Sequence, residues 1–188
     1  MRMRKKPNLL PRMERAASVL VTEPEALRGT WRSAFPGFSA LHLELGCGKG
    51  RFTAETAAAE PETLLVAVEK VPDAMVVAME RAIEKGLHNV RFIDRDAALL
   101  PELFAPGEVE RIYLNFCDPW PKSRDAKHRL TAPGFLRLYA DALAMGGTLC
   151  LRRTICRCSS GRWHSWKRRA GRSARSRTTC TPTGSAAS

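Results

Sequence analysis

The chain has 188 residues, 44% of them hydrophobic, and a net charge of +12, so one domain can bury a substantial core. The charge is uneven: residues 152–188 hold ten Arg/Lys and no acid, while residues 1–151 hold 21 basic and 19 acidic residues, so the body is nearly neutral. No apolar run approaches the roughly 20 residues of a membrane helix, and the basic start MRMRKK lacks the apolar stretch of a secretory signal, so the expected location is the cytoplasm.

In chain order, MRMRKK is a basic arm, and Pro7 and Pro11 around an apolar Leu pair predict an extended segment. Residues 13–34 read as helical in part. ALHLELG (40–46) reads as a strand ending in glycines, and residues 50–59 suit a helix. LLVAVE (64–69) is a short apolar strand, and PDAMVVAMERAIEKG (72–86) is a helix with Pro at its start and Gly at its stop. VRFID (90–94) and RIYLNF (111–116) are strands; residues 132–144 form a helix, Gly146–Gly147 turn the chain, and TLCLR (148–152) is a fifth strand. Short apolar strands alternating with helices predict a mostly parallel α/β sheet covered on both faces. Ligands of such sheets lie beyond the carboxyl ends of the strands. There stand Glu44 with the glycines, Glu69, Asp94 with Asp96, and Asp118.

Gly46, Gly48 and Gly50 permit a tight turn and close approach of a ligand. A dinucleotide site needs GxGxxG, but counting from Gly46 the third glycine falls at Arg51, and that fingerprint fails. Glu44 suits a ligand with a positive amine better than a diphosphate. Glu69 is placed to accept from both ribose hydroxyls and Asp96 from an adenine amino group, which together fit S-adenosylmethionine. The six cysteines form no CxxC pair and read as thiols of a reducing compartment, with no metal expected. His42 and His88 read as structural or exposed.

LELGCGKGRF, VAVEK and NFCDPWPKSRDAKHRLT resemble the tRNA (guanine-N7-)-methyltransferase family, and MRMRKKPNLLPRMER resembles the N-terminal arm of some of its bacterial members. The resemblance covers residues 1–151 and implies a Rossmann-like class I methyltransferase fold. It implies cofactor binding by Glu44, Glu69 and Asp96, with the glycine turn and Asp118 beside them. It also implies Asp118 at the catalytic position, Lys122 against the RNA, tRNA as partner and nucleotide 46 as target. Trp120 offers a face for the base, and Lys122, Arg124, Lys127 and Arg129 form a basic cluster suited to phosphates. The expected domains are a basic arm with a helix (1–35), an incomplete methyltransferase domain (36–152) and a basic, disordered tail (153–188).

After residue 152 the chain departs from the family: the stretch that opens with RTICRCSSGRW and runs to Ser188 has few aliphatics, no acids and none of the expected motifs. Codons for Arg153–Arg169 can be chosen so that a shifted frame encodes DNLPLFEWSLALLEAA, a helix with an apolar stripe. Two shifted residues are forced, Ala from Trp163–His164 and Glu from Trp166–Lys167. A frameshift near residue 153 is therefore the expected origin of the tail, with the C-terminal strands missing and methyl transfer impaired. The alternatives are a methyltransferase acting on an exocyclic amine, and a non-catalytic RNA-binding protein whose working part is the basic tail.

Overall fold

The computed structural model describes residues 8–115, 129–152, 163–167 and 174–175. One sheet runs in the order β3-β2-β1-β4-β5-β6-β7, and its first five strands are parallel. They are β1 (Ala40–Leu45), β2 (Thr63–Val68), β3 (Val90–Ile93), β4 (Val109–Asn115) and β5 (Leu143–Arg152). Both faces are covered, which is why these strands are mostly apolar. One face carries Leu41, Leu43, Leu45, Val66, Ile112 and Leu114 against α2 (Trp31–Ala34), α5 (Leu100–Leu103) and α6 (Pro133–Ala142). The other carries Leu65, Ala67, Phe92 and Tyr113 against α3 (Arg51–Ala59) and α4 (Pro72–Glu84).

The N-terminal segment belongs to this core. α1 (Leu9–Arg15) is ion-paired to α4 through Arg12 and Glu80, and Val21 N–H donates to Phe92 O at 2.9 Å, fastening the segment to β3. An extended course was expected around Pro11; the structure has helix instead. Pro11 sits in the first turn, where no backbone N–H is needed and the ring costs little. Trp31 is fully buried, donates its indole N–H to Leu103 O at 2.9 Å and stacks on Phe104 with ring centroids 5.3 Å apart. The Glu108 carboxylate accepts from the N–H groups of Gly29, Trp31 and Ala105, so one side chain closes three loose backbone ends.

Two boundaries differ from expectation at the C-terminal side. The helix of residues 133–142 stops two residues early, and Gly146–Gly147 lie inside β5, where the register against β4 slips between Val109 and Arg111. Room explains this: a Cβ on Gly147 would stand 2.8 Å from Ala144 O and 3.1 Å from Glu110 O, so the bulged strand passes only without a side chain. The sheet was also expected to lack strands after β5. It continues with β6 (Trp163–Lys167), antiparallel to β5, and β7 (Ala174–Arg175), antiparallel to β6. The open edge of β5 presents a row of backbone donors and acceptors that any extended segment can pair with. The rest of 153–188, and the arm residues 1–7, lie outside the described residues. Among the described residues no helix is long and apolar enough to cross a membrane.

Trp31→Ala should cost about 3–5 kcal/mol of stability. Urea unfolding would show it, and a loss below about 1 kcal/mol would mean that the segment before β1 is not part of the core.

Candidate cofactor and substrate site

The carboxyl ends of β1, β2, β3 and β4 fall on one rim. After β1 the chain turns through Gly46 to Gly50 and enters α3, with Gly46 N–H donating to Val68 O at 2.8 Å and Gly50 N–H to Cys47 O at 2.9 Å. All three glycines have positive φ, of 74°, 55° and 66°, which L side chains rarely adopt. Their surroundings separate them. A Cβ on Gly50 would stand 2.4 Å from the Ala78 Cβ, so this glycine admits the close approach of α4. A Cβ on Gly48 would meet nothing within 4 Å, so that part of the turn faces open space, and at Gly46 it would meet only the Leu130 methyl at 3.8 Å. Gly46 and Gly48 are therefore where a ligand can reach the backbone.

Glu69, after β2, accepts from Gly48 N–H at 2.8 Å and Val71 N–H at 3.0 Å, clamping the glycine turn to the start of α4. Each oxygen keeps a further lone pair for a ligand hydroxyl. Asp96, after β3, accepts from Ala98 N–H at 2.9 Å and from Lys70 Nζ at 3.2 Å. These bonds, the backbone one foremost, hold its carboxyl below the ordinary carboxylate range.

Glu44 is 1% exposed. Thr53 Oγ1, on α3, donates to its Oε2 at 2.6 Å, and Asn115 Nδ2, at the end of β4, donates to its Oε1 at 3.0 Å. Burial pushes this carboxyl up to about 7, against the two hydrogen bonds that favour ionisation, and the nearby Glu69 adds to the rise. Thr53 and Asn115 are partners that the sequence alone did not reveal. Neither element singles them out, since the helix also carries Arg51, Glu55 and Thr56 and the strand also carries Glu110 and Arg111, so the sequence offered no signal for the pair. Cys47 is buried beside them, and its thiol is pushed well up by burial.

His42, at the amino-terminal side of the same strand, is 6% exposed with Nδ1 3.1 Å from Glu60 Oε2. Burial, helped by Arg111, lowers it to about 3, so it stays neutral and away from the rim. Arg129 is half-buried and immediately precedes Leu130, whose methyl group lies near Gly46. Asp118, Trp120, Lys122, Arg124 and Lys127 lie outside the described residues. Among the described residues no group of three or more His, Cys, Asp or Glu could hold a metal ion.

The rim fits S-adenosylmethionine: the turn is open at Gly48, acceptors at Glu69 and Asp96 suit a nucleoside, and a buried carboxyl with neutral partners suits a cation.

Substitution should tell the turn glycines apart. Gly50→Ala should cost about 2–4 kcal/mol, combining a left-handed backbone with overpacking, and Ala78→Gly should recover part of it. Gly48→Ala should cost only about 1–2 kcal/mol while weakening S-adenosylhomocysteine binding; equal losses at the two positions would contradict the division of roles. Glu44 ionises near 4.5 when unfolded and near 7 when folded, so the stability it contributes is full below pH 4.5 and is lost as pH rises through 7. Glu44→Gln should therefore gain on the parent, by up to about 3 kcal/mol, between about pH 5 and 8. Denaturant unfolding without cofactor tests this, and parallel pH profiles would refute it.

Residues 39–155 match the family described as "Putative methyltransferase". The tRNA (guanine-N(7)-)-methyltransferase of Listeria monocytogenes serotype 4b (strain F2365) is 41% identical over 149 residues, 79% of this chain and 70% of that protein. The protein of the same name from Bacillus cytotoxicus is 41% identical over 149 residues, 79% of this chain and 69% of its own length. Among solved structures, the antibiotic-resistance methyltransferase Kmr superposes with a TM-score of 0.53 at 25% identity, covering 68% of this chain and 67% of its own. TrmN from Thermus thermophilus gives 0.53 at 27% identity, covering 70% of this chain and 37% of its own. With five parallel strands, a glycine turn after the first and acids after the next two, the chain belongs to the tRNA (guanine-N(7)-)-methyltransferase family and has its Rossmann-like methyltransferase fold.

Proposed function

We propose that this chain moves the methyl group of S-adenosylmethionine to N7 of a guanine in tRNA. The observation that carries the reading is the open, left-handed turn at Gly46–Gly48 beside Glu69, in a chain 41% identical over 149 residues to a relative named for that reaction. S-adenosylmethionine supplies an electrophilic methyl group on a sulfonium. Gly46 and Gly48 give it backbone to lie against, Glu69 takes the ribose hydroxyls, Asp96 the adenine amino group and Glu44 the positive amino end.

Guanine N7 has an in-plane lone pair and no proton. As the new N–C bond forms and the S–C bond breaks, the positive charge passes from sulfur to the base, and no proton leaves. No general base is needed, and the work of the protein is to hold N7 in line with the methyl carbon. Asp118, placed by sequence just beyond β4, accepts from guanine N1–H and its 2-amino group, and also lines the cofactor. Trp120 stacks on a base turned out of the RNA fold. Lys122, Arg124, Lys127 and Arg129 contact phosphates, which gives affinity and register rather than sequence choice. The target at nucleotide 46 and a cytoplasmic location come with the family. The division into a basic arm, a methyltransferase domain and a basic tail belongs to the same proposal.

The test is methyl transfer from labelled S-adenosylmethionine to an unmodified tRNA transcript, with the product mapped by cleavage at 7-methylguanine. Label should vanish when 7-deazaguanine replaces the target. Asp118→Asn should lower kcat/KM about a hundredfold. Lys122→Ala should raise KM for tRNA and reduce the slope of log affinity against log salt by about one. Cofactor binding without transfer would match the impairment expected from residues 153–188, whereas methyl found at another atom would overturn the proposal.

A further inference from the structure

Glu44 is a buried acid without a counter-charge. Its partners among the described residues are a hydroxyl and an amide, both neutral, and no described Lys, Arg or His pairs with it. A buried carboxylate so placed either keeps a proton or waits for a cation. Asn115 is the second irregularity at the same spot. It is 8% exposed, its Nδ2 donates one hydrogen bond to Glu44, and its buried Oδ1 accepts no hydrogen bond from any described residue. Buried amide oxygens are nearly always paired, so this one calls for a donor.

Topology says which part of a ligand comes here. β1 pairs with β4 through Leu45 and Leu114, which brings Asn115 level with Gly46, at the mouth of the glycine turn. Glu69 and Asp96, the acceptors for a nucleoside, follow β2 and β3 on the other side of β1. A nucleoside extending toward β3 leaves the amino-acid end of the cofactor at the junction of β1 and β4. That end carries an ammonium with three donors.

We propose that Asn115 is a binding residue for the amino end of the cofactor, its Oδ1 accepting from the ammonium while its Nδ2 holds the Glu44 carboxyl in place for the same group. This rests on S-adenosylmethionine being the ligand. Asn115 thus faces two ways: without its N–H the Glu44 carboxyl loses a donor, and without its oxygen the ammonium loses an acceptor.

The test compares two ligands by titration calorimetry on the full chain. S-adenosylhomocysteine carries the amine, whereas 5′-methylthioadenosine has the same nucleoside and thioether without the amino-acid end. Asn115→Leu keeps the size and removes both polar atoms. It should bind S-adenosylhomocysteine roughly 10- to 100-fold more weakly, the range for one hydrogen bond to a charged group, with 5′-methylthioadenosine within about twofold of the parent. Equal loss of both ligands, or loss of neither, overturns the inference. Asn115→Asp guards against a leucine variant that does not fold. It keeps the acceptor and adds a charge, so its affinity for S-adenosylhomocysteine should climb more steeply between about pH 5 and 8 than the parent's. Parallel profiles overturn the inference as well. Failure of the parent chain to bind either ligand would strike the cofactor reading itself, a result distinct from the ones that sink Asn115 alone.

Discussion

Parallel pairing imposes a direction on everything else here. Each of the first five strands must be re-entered from the same end, so every crossover leaves from one rim and returns by the other. Residues at the ends of strands therefore collect in space, although Glu44 and Asp96 are 52 positions apart. The apolar cost of this arrangement is met by helices on both faces, with α3 and α4 against one and α2, α5 and α6 against the other. Polar groups survive at the rim because the sheet ends there and loops supply donors: Gly48 and Val71 for Glu69, and Ala98 for Asp96.

Glu44 departs from that pattern, since it lies within β1 rather than after it. Its two neutral donors come from α3 and β4, so one carboxyl ties together a strand, the helix after it and the strand beside it. The same bonds bring the end of β4 to the glycine turn. The chemistry of the reaction asks for little beyond alignment. An acid in β1 whose partners lie on α3 and on β4, the strand leading to the DPWPK segment, fixes these elements relative to one another.

The first three strands were legible because each is a run of four to six mostly apolar residues closed by Gly or an acid, and the rim acids were legible because that topology sends strand ends to one place. Short elements were not. Ala97–Leu99 and Leu100–Leu103 have too few residues to show a period, and Pro11 reads as a breaker unless its place in a first turn is known. The three glycines read alike in sequence. Gly50 owes its identity to Ala78, 28 residues later, which only packing reveals. Glu44 read as a ligand for an amine without any sign of its burial, because Thr53 and Asn115 are distant in sequence. The two strands after β5, which pair antiparallel with it and with each other, were not foreseen, because the segment was read by its charge and its lack of aliphatic residues. Asp118, Trp120, Lys122, Arg124 and Lys127 remain known by sequence, beyond the described residues.

The contact between Gly50 and Ala78 carries a consequence for how such chains diverge. The two positions share one small volume, so neither can grow by a methyl group unless the other shrinks or the helices part. The first residue closes the glycine turn after β1, and the second lies on the buried face of α4. A change of size at one site therefore needs an answering change at the other, which couples the packing of α4 to the shape of the turn.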